Sequence, residues 1–324
     1  MKKMLYAVAM LAVVLVGCNK ENDPEEQKSD ASQKLTTGTA ITQYLTASAL
    51  VSNAVTESAN GVGEVRTDLN VNIGPKSVKA DAEADTFPNV TWESVNEESI
   101  FPVIVTINYG TTNVLGKDGR NHRGVMKVWA DGAYEEEGTT MKATFADWYV
   151  DDVKLTCSDS MTVVNNGRDD KNQCQFKVNG HFTLISGEKS FEFTENSTRT
   201  WIEGEGQTDV TTHTYSIVGD QEGKTASKYD YSVKIAEADP MVVNVGTRFP
   251  LSGTLNITVD TRAIDEFFPN FEYAEVLKLF YPTDFDFTLI FTGDNKAKIQ
   301  IPYTDVTTRE EKTYESKEID LLNI

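Results

Sequence analysis

From Pro102 onward the chain alternates apolar and polar positions. Val103, Val105, Ile107 and Tyr109 share one parity, and Thr106 and Asn108 share the other. Successive side chains of a strand point to opposite faces, so a period of two buries one face and wets the other. The same rhythm returns at Val125–Trp129, Met141–Phe145, Trp148–Val150, Val153–Leu155 and Met161–Asn165. It continues through Phe176, Val178, Phe182 and Leu184, then Phe191 and Phe193, and Arg199 to Glu203. Tyr229, Tyr231, Val233 and Ile235 form another inward set, as do Leu251, Leu255, Ile257 and Val259. Phe285, Phe287, Leu289 and Phe291, followed by Ala297, Ile299 and Ile301, complete the series. Turns are expected at Asp131-Gly132, at Gly187 and at Asp220–Gly223.

Two stretches break the rhythm. In the segment from Thr39 to Ser58, Ile41, Leu45 and Ala49 recur every four residues, with Leu50 and Ala54 beside them. That spacing predicts an amphipathic helix lying on the body and ending at Asn60-Gly61. The second, Ala274 to Phe280, reads as a short helical insertion bracketed by Pro269 and Pro282. Leu69 to Ile73 is one weak strand within a connection. Many strands, short turns and few helices predict a mainly β, antiparallel meander. An amphipathic sheet must pack on a second sheet, curl on itself or be covered by the helix, so a sandwich and a partly closed barrel both satisfy the pattern.

The expected organisation has five parts. Residues 1–17 are a signal peptide, 18–38 an acidic tether, and 39–85 the helical segment with its connection. Residues 86–303 are the β body, and 304–324 a charged tail expected to fray. The hairpin beginning at Val103 resembles the one beginning at Phe285, which would give two similar halves whose hairpins pair and close the sheet.

The first part carries the clearest address. Lys2 and Lys3 precede an apolar run from Leu5 to Val16, too short to span a membrane comfortably. The run ends Leu15-Val16-Gly17-Cys18, which resembles the bacterial lipobox. That resemblance implies cleavage before Cys18 and a lipid on its thiol, anchoring the chain to a membrane. The tether from Asn19 to Asp30 has no apolar residue to bury, and its acidic start resembles the export signals of surface lipoproteins in Bacteroidota. These features place the chain on the outer membrane, facing the cell surface or the periplasm.

Charge narrows the partners. The formal net charge of -20 repels phosphate backbones, which argues against nucleic acid. Loss of residues 1–17, with Lys2 and Lys3, takes it to -22. Beyond Cys18 the cysteines are Cys157 and Cys174, flanking a turn-rich polar segment, and spacing leaves them either bridged or free.

Several motifs from Phe101-Pro102-Val103 through Asp118-Gly119-Arg120, Thr144 to Asp152, Arg199-Thr200-Trp201 and Tyr215 to Gly219 resemble a group of uncharacterised β-rich surface lipoproteins of Bacteroidota. The likeness covers roughly residues 86 to 303 and implies an address and a body plan, with no catalytic residue or ligand. This chain departs from the group's pattern in its few body cysteines. Asp159-Ser160-Met161 resembles the O-glycan acceptor pattern of exported Bacteroidota proteins, which nominates Ser160.

Chemistry is sparse. His122, His181 and His213 form no metal-type pair, and no Gly-x-Ser-x-Gly elbow or phosphate-cradling glycine loop occurs. No metal site or cofactor is expected, with calcium at Asp169–Asn172 the mildest exception. The best ligand-binding candidate is Trp148, Tyr149, Asp151 and Asp152, where an aromatic platform would sit beside carboxylates. Trp148 and Tyr149 point to opposite faces, so one of them faces outward. The leading expectation is a non-catalytic lipoprotein binding a glycan or a surface protein. A fimbria-like or assembly subunit and a glycoside hydrolase using paired carboxylates are its rivals.

Overall fold

The computed structural model describes residues 39–69, 88–96, 99–207, 209–269, 278, 281–305 and 307–323. The signal peptide, Cys18, the tether and most of the connection before the β body lie outside them. So does the helical insertion expected at 274–280, apart from Lys278.

The alternating residues form strands joined in sequence order: β1 (Asn89–Ser94), β2 (Val103–Asn108), β3 (Val114–Leu115), β4 (Asn121–Ala130), β5 (Thr140–Val150), β6 (Val153–Cys157), β7 (Met161–Arg168), β8 (Cys174–Ser186) and β9 (Lys189–Glu203). They continue as β10 (Thr214–Lys224), β11 (Asp230–Ile235), β12 (Met241–Asn244), β13 (Gly253–Asp260), β14 (Asp284–Gly293), β15 (Lys296–Thr304), β16 (Glu311–Glu315) and β17 (Ile319–Asp320). All seventeen belong to one sheet. Short strands double up where the sheet bends: β6 and β7 both bridge β5 to β8, and β11 and β12 both lie against β10. Every ladder is antiparallel, as the meander predicts. Among the described residues no ladder joins β1 or β2 to β14 or β15, so the two similar hairpins do not close the sheet by hydrogen bonds.

The sheet closes instead on a helix. α1 (Ala40–Leu69) runs through the concave side, touched by strands from widely separated parts of the chain. Ser58 Oγ lies 3.9 Å from Met126 Sδ on β4, and Thr56 Oγ1 lies 2.9 Å from Tyr215 Oη on β10. Arg199 on β9 donates to Ser52 Oγ, and Val243–Pro250 line the space beside Leu45 and Ala49. No residue from Thr39 to Val65 is exposed. The architecture is one antiparallel sheet packed around a buried helix.

Three expectations are corrected. The helix does not stop at Asn60-Gly61, nor does it lie on the body; it continues inside the sheet to Leu69, which also removes Leu69 from the expected weak strand. A Cβ on Gly61 would come 3.0 Å from Ile107 Cδ1 and 3.2 Å from Val105 Cγ1, so that glycine permits close packing and does not end the helix. Asp220–Gly223 is not a turn, because it lies within β10 and pairs with β9 and β11. The charged tail does not fray: β16 and β17 pair with β15, and Leu321 is buried. A further short helix, α2 (Ile264–Phe267), packs Ile264 and Phe267 into the core.

Candidate functional site

The residues nominated for ligand binding sit at the β5–β6 hairpin. On β5, Met141 and Ala143 point inward, but farther along the inward positions are Trp148 and Val150. One extra residue changes the parity. The β4–β5 register shifts between Arg123 and Val125, where Gly124 at φ +97° faces Asp147 at φ 46°. This β-bulge turns Trp148 into the core at 0% exposure and leaves Tyr149 partly exposed. Trp148 packs edge-on to Tyr109 and His122, with centroids at 5.6 and 5.8 Å. Tyr149 carries the Arg123 guanidinium 3.7 Å from its ring centre, and Lys154 approaches the same ring at 5.5 Å.

The two aspartates are turn residues. Val150 pairs with Val153, and Asp151 (φ 49°) and Asp152 (φ 66°) form the two-residue connection that a tight hairpin requires. Asp151 is buried and accepts the Asn121 backbone N–H at 3.1 Å. Asp152 pairs with Arg123 and accepts from Asn113. The structure therefore brings the four together without making a platform beside free carboxylates.

Cys157 and Cys174 are both free thiols. Of the two states that spacing left open, the bridge is excluded because the cysteines belong to different ladders. Cys174 opposes Arg168 on β7, while Cys157 on β6 opposes Phe182, eight residues farther along β8. At the rise of a strand that separation is on the order of 25 Å, far beyond the roughly 7 Å Cα limit of a disulfide. Burial pushes the Cys174 thiol up to about 11 and raises that of Cys157. Ser160 lies half-buried in the link between β6 and β7, beside exposed Asp159. In the segment nominated for calcium, the Asp169 carboxylate accepts the backbone N–H groups of Lys171 and Gln173 at 3.0 and 2.8 Å.

Two regions that the sequence did not nominate gather more polar chemistry. The first is a groove of about 460 Å³ on the outer face, crossing β8, β9, β10, β11, β13 and β14. A row of directly opposed residues runs through it. His181 faces Thr194, Thr194 faces Glu222, Glu222 faces Ser232, and Ser232 faces Thr258. Five strands at about 4.8 Å spacing make the row roughly 19 Å long. Three groove carboxylates are committed to cations: Glu192 to Lys228, Asp230 to Lys224 and Asp260 to Arg262. Hydrogen bonds from Lys228 and Arg262 hold the Glu192 and Asp260 carboxyls below the ordinary range.

The second region is the contact between α1 and its walls. On β9 the inward positions run Phe193, Glu195, Ser197, Arg199, Trp201, so an acid, a hydroxyl and a base face the lumen in a row. Arg199 Nη2 donates to Glu195 Oε1 at 2.7 Å, and Ser197 and Gln221 donate to the same carboxylate. Arg199 reaches across to Ser52 of α1. One residue farther along α1, Asp118 accepts from Asn53 Nδ2 at 3.0 Å and shares a 2.8 Å hydrogen bond with His122 Nε2. Tyr109, stacked on His122 at 4.7 Å, donates to Glu57 Oε1 at 3.0 Å. The signals were present: Glu195 and Arg199 stand on the inward parity of β9, and Asp118 and His122 flank a turn.

These regions have no catalogued counterpart to lend them a role. No family model matches the chain, no curated protein matches it, and no solved structure matches it. Among the described residues no helix is long and apolar enough to cross a membrane, which says nothing of crossing by strands.

Proposed function

We propose that this chain is a lipid-anchored protein of the bacterial envelope whose β body binds an extended polar ligand, a glycan, along the outer groove. The observation that carries this reading is the groove itself. It is wide, open and lined by hydroxyl, imidazole and carboxylate groups in register across the strands. Sugars offer many hydroxyls and little charge, and such a row supplies alternating donors and acceptors. The lipobox-like end at Cys18 supplies the anchor. Glu192 and Asp260 are poor candidates for the protonated carboxyl that glycoside cleavage needs, because Lys228 and Arg262 hold them ionised. Trp92, Trp148 and Trp201 are buried and none of the four tryptophans lines the groove, so recognition there rests on hydrogen bonds.

The test is a glycan array probed with the chain from Cys18 onward, followed by calorimetry on each hit. Glu222→Ala and Ser232→Ala are expected to weaken the captured glycan by about tenfold together while leaving the melting temperature unchanged. An empty array, or a hit whose affinity ignores both substitutions, overturns the groove as the site. Radiolabelled palmitate incorporation that survives Cys18→Ala overturns the anchor.

A further inference from the structure

Two polar clusters join α1 to the sheet, and they differ in access to water. Glu195 and Arg199 are sealed, with 1% and 0% exposure. Glu57 is only partly buried, so it can exchange a proton with solvent. It stands on α1, while Asp118 stands on the loop between β3 and β4 that grips α1 through Asn53. The charged and titratable groups facing Glu57 are His122 of β4, Asp118 and Lys117 of that loop, and Tyr109 at the end of β2. Behind Asp118 stands Arg120, whose guanidinium also faces Asp151. Two acids thus meet across one helix–wall contact, with His122 between Asp118 and the Tyr109 ring that holds Glu57.

From this geometry we infer that Glu57 and Asp118 form a pH-sensitive latch on the C-terminal half of α1. The latch is closed while Glu57 is protonated and loosens when Glu57 ionises beside Asp118. Ionisation places a second carboxylate in a poorly hydrated contact, where like charges repel more strongly than in water. Burial, the largest effect, and the Asp118 charge raise the Glu57 carboxyl, while the His122 charge, the Tyr109 hydrogen bond and Lys117 oppose them without reversing the direction. A group raised on folding stabilises the fold at low pH, and that contribution is lost as pH climbs through its folded value. Asp118 behaves oppositely. Burial works against its charge, but the His122 hydrogen bond and charge and Arg120 outweigh it, so its carboxyl is lowered. Its contribution is lost only in strong acid. The latch therefore holds best in mild acid.

The part of the helix that loosens is set by its neighbours. Ser52 stays gripped by Arg199, whose ion pair is sealed. Beyond Asn53 the helix contains Gly61 and Gly63, each costing roughly 1 kcal/mol relative to alanine, so this half depends on packing, on the Thr56–Tyr215 hydrogen bond and on the latch. Loosening uncovers Val105 and Ile107, which now pack against Gly61.

Hydrogen exchange with mass spectrometry on the full chain tests this. Exchange would be followed from about pH 4.3, the ordinary glutamate value, to about pH 9 and corrected for intrinsic rates. Protection of residues 53–69 is expected to fall roughly tenfold with rising pH while β13 and β14 keep theirs. Glu57→Gln is expected to hold 53–69 protected across the range. Tyr109→Phe, which removes a donor to the ionised form, is expected to move the fall to higher pH and supplies the test if Glu57→Gln does not fold. Superimposable pH profiles for the native chain and either variant overturn the latch. So does loss of protection in residues 53–69 and β13–β14 together.

Discussion

Glu195 and Arg199 show what a single inward parity can hide. Each is fully buried, and their hydrogen bonds run to each other and to Ser52, Ser197 and Gln221, with Arg199 Nε left without a partner. Removing one member leaves the other charged in a medium that cannot solvate it, which costs far more than the pair contributes. Arg199→Met is therefore expected to destabilise the fold by about 3–5 kcal/mol in urea denaturation, and adding Glu195→Met is expected to recover part of that loss. The alternation along β9 was legible in the sequence, and with it the inward direction of these side chains. Their partners were not, because Ser52 lies 147 residues from Arg199 and no periodicity links them. Which of Trp148 and Tyr149 turns inward was left open for a related reason. Counting by twos fails at a bulge, and the only sequence marks of this one are Gly124 and Asp147 on neighbouring strands.

The elements themselves were read well where one face is wet. The strands of the meander appear where alternation placed them, and the turn at Gly187 joins β8 to β9. α1 was read as a surface helix because Ile41, Leu45 and Ala49 make a stripe and Ser and Thr occupy other positions. Those hydroxyls are buried cheaply because they bond back along the helix: Ser52 to the Ser48 carbonyl at 2.9 Å, Thr56 to Ser52 at 3.0 Å and Ser58 to Ala54 at 2.7 Å. A helix that looks half polar can thus be buried all round. The β4–β5 pairing offers a sharp test at this scale. A Cβ at Gly124 would fall 1.9 Å from the Asp147 carbonyl oxygen, on a backbone at φ +97°. Gly124→Ala is expected to cost more than about 1 kcal/mol, read from the urea midpoint, and to disturb the packing of Trp148.

At the scale of the whole molecule, helix and sheet share one core. Buried residues from Ile41 to Leu321 form a single apolar cluster, so neither part has an interior of its own. Helix and sheet are expected to unfold together above the latch's own local opening. In thermal denaturation at mild acid pH, the far-ultraviolet helix signal and the tryptophan fluorescence, to which buried Trp92, Trp148 and Trp201 contribute beside Trp129, should change in one coincident transition. Separate midpoints would mean that the sheet stands without its helix. This unity was the least legible feature, since a sequence states which residues avoid water and not which of them meet. The echo of two hairpins suggested closure by strand pairing, whereas the curled sheet is filled from within.

One consequence concerns biogenesis. A polypeptide is made from its N-terminal end, so α1 emerges well before Arg199, Tyr215 and the 243–250 segment that enclose it. During that interval it must wait among waters and other nascent chains without clumping. A greasy rod would be a hazard at that stage, while one dressed in serine and threonine can linger hydrated and then be wrapped by the arriving ribbon. The hydroxyls along α1 thus suit a passenger that boards first and is walled in last.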